Sequence, residues 1–332
     1  MIKFLYNSSI PRNAWSSFVS MHPGGTIFQT PEMFDVYEKT SNVKPIAIAA
    51  FEGEVIKGVI LAAIMTNGGA HLKIMTARSI ITGGPLVEND SAALSKVLLQ
   101  EYGKVLPRYV IYSEIRPVFA PIVFNDAYEQ LGFYRSGHYN LTIDTRLEKV
   151  QLWEKMHRLR RRNIVKAQKS GLQFREVLVE DDLLEARDII IQTYRRKRIP
   201  MSYADVLSGV KTVLGNHVRY FAAYLDNKMI ACLVVLCYKE LLYLWFNGSD
   251  EAYIKNVYAN DFLHWNVLCL AHDEGFSTCD FGGGGEPGVP YGVREYKLKF
   301  GCRIYDYGRF VCVNRPILYR IGKAAIAIFT KK

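Results

Sequence analysis

Apolar and polar positions alternate along two long stretches of this chain in nearly the same way. Lys44 to Phe51 and Val55 to Met65 are rich in β-forming residues, and Glu52-Gly53-Glu54 between them supplies a turn, so a hairpin is expected. The pattern returns at Val218 to Tyr224 and Met229 to Tyr238, around the turn Asp226-Asn227-Lys228. The spans 44–64 and 218–238 agree in length and pattern without a gap, which points to a duplicated unit. Thr30 as N-cap and Pro31 at the first helical position predict a short helix to Lys39, with Met33, Phe34 and Tyr37 on one face. Arg78 to Ile81 leads into Thr82-Gly83-Gly84-Pro85, Ser91 to Leu106 has helical spacing, and Tyr109 to Ile115 and His138 to Ile143 read as strands. The second half offers a strand from Leu241 to Phe246, a turn at Asn247-Gly248-Ser249, a helix from about Asn256 to Glu274, a strand ending at Asp280 and a last strand around Arg309 to Val313.

Hairpin, strand, helix, strand and strand thus occur twice. The expected fold class is α/β (α+β), with two tandem domains, each a mixed sheet flanked by helices. The first would span 1–150, the second 151–315, and 316–332 would form a C-terminal tail. Leu152 to Gly171 reads as a single helix joining the two. Leu152, Met156, Leu159, Ile164 and Ala167 form its apolar stripe, and Gly171 is a C-terminal stop.

The polar side of that helix changes the picture. From Lys155 to Lys169 there are seven Lys/Arg and no Asp/Glu, an arrangement that repels itself unless anions are near. Arg158, Arg161, Arg162, Lys166 and Lys169 are therefore candidates to bind phosphate or tRNA, against the alternative of a plain solvated face. Arg195-Arg196-Lys197-Arg198 would extend the surface. The net charge of +10 and a pI near 9.2 favour a polyanionic partner. With 49% hydrophobic residues over 332 positions, the chain has material for two cores. All six cysteines lie in the second half without metal spacing, and Cys232 and Cys237, five apart, would face opposite sides of a strand. Reduced thiols in a cytoplasmic protein are the simplest account. No apolar run reaches eighteen residues, so no membrane span is expected, although 317–329, with Arg320 and Lys323, could lie on a membrane surface.

Candidate chemistry centres on Cys279-Asp280-Phe281-Gly282-Gly283-Gly284-Gly285-Glu286, followed by Tyr296-Lys297-Leu298-Lys299-Phe300-Gly301. Four consecutive glycines suit either a mobile loop or a backbone that a ligand approaches closely. Asp280-Phe281-Gly282 lacks the other kinase motifs, and neither GxxxxGK[ST], a GxGxxG opening a helix, nor GxSxG is present. Kinase, dinucleotide-binding and serine-hydrolase chemistry are thereby set aside. Lys297, its stem packed beside Tyr296, could hold an ammonium against a developing oxyanion, or simply reach to solvent. Asp280 or Glu286 could accept a proton.

Taken in order, Phe28-Gln29-Thr30, Gly83-Gly84-Pro85, Glu114-Ile115-Arg116-Pro117, Leu131-Gly132-Phe133, Arg161-Arg162-Asn163-Ile164, Asn247-Gly248-Ser249, Asp280-Phe281-Gly282-Gly283 and Tyr296-Lys297-Leu298-Lys299-Phe300-Gly301 resemble the FemAB family over about Phe28 to Gly301. The resemblance implies two tandem acetyltransferase-like (GNAT) domains and, in bacterial cytoplasmic members, transfer of an amino acid from aminoacyl-tRNA to a peptidoglycan precursor. Lys297 matches the family lysine of Phe-Lys-x-x-Phe, with Tyr296 in place of Phe, and Tyr203 matches a tyrosine that contacts the nucleotide-sugar precursor. The chain departs at Val36, where relatives carry a lysine, at Ile199, where an arginine is usual and Arg198 stands one step earlier, and at Phe246, where tyrosine is common.

The resulting expectation is an N-acyltransferase with Lys297 and Asp280 as catalytic residues. Tyr203, Arg198, Tyr296, Phe246, Gly282, Gly283 and Lys299 would bind substrate. No metal and no permanently bound cofactor are expected; aminoacyl-tRNA would be the donor, since neither half shows the Q/RxxGxG/A loop that cradles the pyrophosphate of acetyl-CoA. The acceptor would be a nucleotide-sugar or lipid-linked envelope precursor, and the protein cytoplasmic, with contact at the inner membrane possible. Acyl-CoA-dependent acylation of an amino sugar in capsule synthesis and a non-enzymatic nucleic-acid-binding module are the alternatives. One active centre is expected, in the second domain or at the cleft between the two, because Gly83-Gly84-Pro85 has no matching lysine motif.

Overall fold

The computed structural model describes residues 2–67, 73–120, 125–199, 205–253 and 257–330. The chain opens with strand β1 (Ile2–Tyr6) and helices α1 (Arg12–Met21) and α2 (Pro31–Lys39). The first hairpin, β2 (Val43–Glu52) and β3 (Val55–Met65), is followed by α3 (Lys73–Thr76), β4 (Arg78–Thr82), the short β5 (Leu86–Val87), α4 (Ala92–Val105), β6 (Tyr112–Arg116), α5 (Asn125–Glu129) and β7 (Phe133–Ser136). Next come β8 (Tyr139–Asp144), α6 (Lys149–Lys155), α7 (Arg158–Lys169), β9 (Gln173–Glu176), α8 (Glu180–Arg196) and α9 (Val206–Leu214). The second hairpin, β10 (Val218–Leu225) and β11 (Lys228–Tyr238), precedes β12 (Leu241–Ser249), α10 (Ala259–Asp273), β13 (Thr278–Gly283), α11 (Gly292–Leu298), β14 (Arg303–Asp306), β15 (Arg309–Val313) and α12 (Pro316–Thr330).

Local signals account for many of these boundaries. Thr30 Oγ1 accepts the Met33 amide at 3.2 Å and caps α2 as its sequence predicts. Val36, rather than Tyr37, joins Met33 and Phe34 in the core, so the position where the resemblance leads one to expect a lysine is interior here. The second hairpin turns on Asp226 and Asn227, both at positive φ, as a tight two-residue turn requires. In both hairpins the second strand carries a bulge at the same distance from the turn, Lys57 opposite the Ala50–Phe51 step and Ile230 opposite the Ala223–Tyr224 step. A shared irregularity at a matching position strengthens the reading of a duplicated unit.

The chain forms two compact units, residues 1–137 with 307–332, and residues 138–306. The expected limits at 150/151 and 315/316 are thereby displaced, and the reason is strand exchange. In the first unit the sheet runs β1-β2-β3-β4-β6-β15-β7, with β5 paired to β3. In the second it runs β14-β8-β13-β12-β11-β10-β9. Strand β8, counted from its position as the end of the first domain, pairs antiparallel with β13 and β14; β15 lies between β6 and β7. Each sheet contains one parallel pair, β4 with β6 and β12 with β13, so both are mixed.

Each unit has its own core. Ile48, Ile60, Ile64, Leu98, Tyr102 and Phe310 anchor one; Leu141, Ile164, Phe221, Leu233, Leu268 and Phe300 anchor the other. Cys232 packs on the α8 side of β11, its thiol 3.2 Å from the Ala186 carbonyl, whereas Cys237 belongs to the core on the opposite face; all six cysteines are unpaired. The expected single helix over 152–171 is two. α6 ends at Lys155, and His157 begins α7 by donating its amide to the Lys299 carbonyl at 2.9 Å while its Nδ1 accepts the Leu159 amide. Gly171 ends α7 at φ +80°.

Candidate functional site

In the second unit the parallel pair β12 and β13 holds register only from Leu241 with Thr278 to Tyr243 with Asp280. Beyond that point β12 continues along β11 to Ser249, while β13 shifts register against β8 and runs into the glycines. The strands part at Asp280. Lys297, on the last turn of α11, reaches this place: its Nζ donates to the Gly283 carbonyl at 2.8 Å. A Cβ built on Gly282 would lie 3.9 Å from that Nζ and 3.5 Å from the Tyr243 hydroxyl, so Tyr243, Gly282, Gly283, Asp280 and Lys297 share one small volume.

Two charges meet there under opposing pressures. Asp280 is fully buried; its Oδ1 accepts the Gly282 amide at 2.6 Å, and its Oδ2 has no hydrogen-bond partner. Burial pushes this carboxyl up to about 6, against the Gly282 amide and Lys297, which both favour the charged form. Burial likewise pushes the Lys297 ammonium down to about 8, opposed chiefly by Asp280. A proton acceptor and a cation, both near neutral pH, therefore stand at the point where two strands open.

The glycine run is a held wall and not a free loop. Gly284 donates to the Tyr139 carbonyl at 2.6 Å, and Tyr139 donates back to the Gly285 carbonyl at 2.9 Å. A Cβ on Gly284 would sit 2.2 Å from Leu141, and Gly282 and Gly285 take positive φ, so this path against β8 requires glycine. Arg294, buried at 9% exposure, also binds the loop, its guanidinium 5.3 Å over the Tyr139 ring. Its guanidinium donates to the carbonyls of Gly284 at 3.1 Å and Glu286 at 2.9 Å, and also to Val289.

Tyr296 is tied into a polar network at the edge of a cavity. Its hydroxyl donates to Asp261 at 2.8 Å, and the Arg160 guanidinium lies 4.1 Å above its ring. Asp261 is buried and also accepts from Arg160 at 2.7 and 2.8 Å and from Asn163 at 2.7 Å. This network borders a cavity of about 190 Å³ at the start of α10, lined also by Ser249, Asp250, Tyr258 and Asn260. Beside it His264 stacks on Phe281 and donates from Nδ1 to the Asn260 carbonyl at 2.6 Å; burial pushes its pKa down, against the Asn260 carbonyl and Asp261.

Arg158, Arg161, Arg162, Lys166 and Lys169 line one open depression of about 510 Å³ with Trp153 and Val165. None of the five has an ion pair among the described residues. Arg160, from the same run of cations, turns inward to Asp261. Of the remaining expected residues, Phe246 is buried against Tyr194 and Trp245, Arg198 is exposed just past α8, and Lys299 lends its carbonyl to His157. Tyr203 lies outside the described residues. Tyr243, Asp261, His264 and Arg294 did not emerge from sequence, and Arg160 emerged only as one member of a cationic run, because the partners that give each its place lie far along the chain. In the first unit the matching turn, Gly83-Gly84-Pro85, borders an apolar cavity of about 70 Å³ with Leu86, Ile115, Phe119 and Phe310, whose lining has no lysine or arginine.

Residues 154–298 match the family model described as acetyltransferase (GNAT) domain. Among solved structures the chain is similar to FemX, at 13% identity and a TM-score of 0.73, covering 96% of this chain and 99% of that one. It is also similar to L-PGS from Bacillus licheniformis (11% identity, TM-score 0.58, 96% and 97% covered). A tandem GNAT protein from the clavulanic acid biosynthesis pathway is similar at 9% identity and a TM-score of 0.55, with 95% and 99% covered. No curated protein matches the chain in sequence. The chain therefore has a tandem GNAT-like fold, and the FemAB-like resemblance holds at the level of that fold.

Proposed function

We propose that the protein is an N-acyltransferase that forms an amide on an amine of a cell-envelope precursor, with aminoacyl-tRNA as donor. One observation carries this reading: the Lys297 ammonium stands 2.8 Å from the Gly283 carbonyl where β12 and β13 part, beside a buried Asp280 with one unpartnered oxygen. An ester carbonyl placed at Nζ gains a cation where its oxygen becomes negative. As the amine attacks, the C–N bond forms, and Asp280 Oδ2 takes the amine proton. When the tetrahedral adduct collapses, the ester C–O bond breaks and the proton passes to the leaving ribose oxygen. Aminolysis of an activated ester needs little beyond a neutral amine held in place, so positioning by the glycine wall supplies much of the rate.

The unpaired cations of α7 favour tRNA as donor, since they can displace counterions from a phosphate backbone. The absence of a Q/RxxGxG/A loop from either half weighs against coenzyme A. The fold likeness to FemX and L-PGS supports an envelope precursor as acceptor. Arg198, Tyr203 and Lys299 remain candidates for the acceptor, while Phe246 and Tyr296 are assigned packing roles. A second reading, acyl-CoA-dependent acylation of an amino sugar in capsule or exopolysaccharide synthesis, is favoured by the acetyltransferase domain match alone. A third, a nucleic-acid-binding module without catalysis, rests on the basic face alone.

The test is transfer of labelled amino acids from charged tRNA to nucleotide-linked and lipid-linked muramyl peptides by the purified protein. Label should enter the precursor, and Lys297→Ala should slow transfer by about 10²- to 10³-fold without changing tRNA affinity. Transfer from acyl-CoA to an amino sugar would establish the second reading; RNA binding with no transfer to any acceptor would establish the third.

A further inference from the structure

The first unit ends in α12, a helix whose first half carries several exposed side chains. Tyr319 ties it down: the ring meets Tyr112 edge-on at 5.3 Å, and the hydroxyl lies 3.0 Å from that of Tyr134. Ile317 and Ile321, one turn apart, stay 76% and 53% exposed. α3 packs beside α12 and exposes Ile74 at 53% and Met75 at 55%. Four large apolar side chains on two adjoining helices form more than the scattered exposure normal for a protein surface.

Along the sequence, the segment that carries α12 has charge of one sign. From Tyr307 to Lys332 there are six Arg/Lys and no Asp/Glu. Arg320 and Lys323 are both exposed and lie within a turn of Ile317 and Ile321. A second copy of the chain seated on this face would set one acid-free cationic helix against another, which is repulsive. An anionic lipid surface is complementary on both counts, taking the apolar side chains at the acyl boundary and the cations among its headgroups. No described helix is long and apolar enough to cross a membrane, so the geometry is that of a helix lying in the interface.

We propose that α12, with α3 beside it, docks this protein on anionic membranes. The proposal stands apart from the acyl-transfer reading, since it uses no residue of that site.

Co-flotation of the full chain with vesicles tests it. The protein should float with phosphatidylglycerol–phosphatidylcholine vesicles, and bind about tenfold more weakly to phosphatidylcholine alone or at high salt. Ile317→Asp combined with Ile321→Asp should abolish flotation while circular dichroism and the melting temperature stay unchanged, because both side chains are exposed. Ile317→Leu should float normally, and Arg320→Ala with Lys323→Ala should weaken binding and reduce its salt dependence. Failure of the wild-type chain to float with the anionic vesicles would overturn the proposal. So would equal binding to both vesicle types, or a vesicle-free dimer that Ile317→Asp converts to monomer.

Discussion

Asp280 and Lys297 are each driven toward the neutral form by burial, and each partly restores the other's charge. Below about pH 6 Asp280 gains a proton and can no longer accept one; above about pH 8 Lys297 loses the charge that would face the oxyanion. The expected kcat/KM profile is a bell with limbs near those values. Asp280→Asn should remove the acid limb while keeping an acceptor for the Gly282 amide. The same shift has a stability consequence. Because the folded-state value of Asp280 lies above its ordinary 3.8, the unfolded chain loses this proton first, and stability should fall as pH rises from about 4 to 6. Thermal melts over that range should show a shallower fall for Asp280→Asn. Arg160 serves a different purpose. Its removal leaves the Asp261 carboxylate buried without its cation, so Arg160→Ala should cost about 3 kcal/mol in urea unfolding. Sequence could nominate Lys297 and Asp280 because motif and glycines flank them, but it placed Arg160 among the solvated cations, since nothing local shows a partner 101 residues away.

At the level of elements, the glycine wall and the basic helix differ in how far sequence could read them. The wall's four glycines are visible in the sequence, and by themselves they favour a mobile loop; only their place before the Lys297 motif favours a wall, and hydrogen bonds from β8 and Arg294 are what hold it. Arg294→Ala strips a charged donor from three loop carbonyls. It should lower stability by roughly 1–3 kcal/mol and reduce kcat more than tRNA affinity, as steady-state kinetics and a denaturation curve would show. Helix α7 was legible in its charge pattern, and the structure gathers its five outward cations into one depression. Arg161→Glu with Lys166→Glu should weaken tRNA binding strongly and flatten the dependence of affinity on salt by about one unit of slope per lost phosphate contact. The interruption before α7 escaped sequence because the group that stops α6 from continuing, the Lys299 carbonyl, lies far along the chain.

For the whole molecule the decisive feature is the exchange of strands. β8 comes before the linking helices yet belongs to the second unit; β15 follows the second unit and sits between β6 and β7 of the first sheet. A fragment of residues 138–306 should therefore fold cooperatively, whereas 151–315, cut where the sequence alone suggests, should lack a central strand and aggregate. Circular dichroism and gel filtration of the two fragments would decide this. Deleting 307–332 should expose β6 and β7 and destabilise the first unit even though the site near Lys297 is untouched. By itself the sequence determined the element types, the duplicated hairpin, the basic helix face and the residues nearest the proposed chemistry, because periodicity, turn residues and charge runs are properties of neighbouring positions. Only the tertiary structure decided which strand joins which sheet, that the glycine run is a wall, which cation turns inward, and that burial brings Asp280 and Lys297 toward neutrality. Those depend on hydrogen-bond partners and solvent exclusion supplied by residues distant in the chain, and no local pattern encodes them.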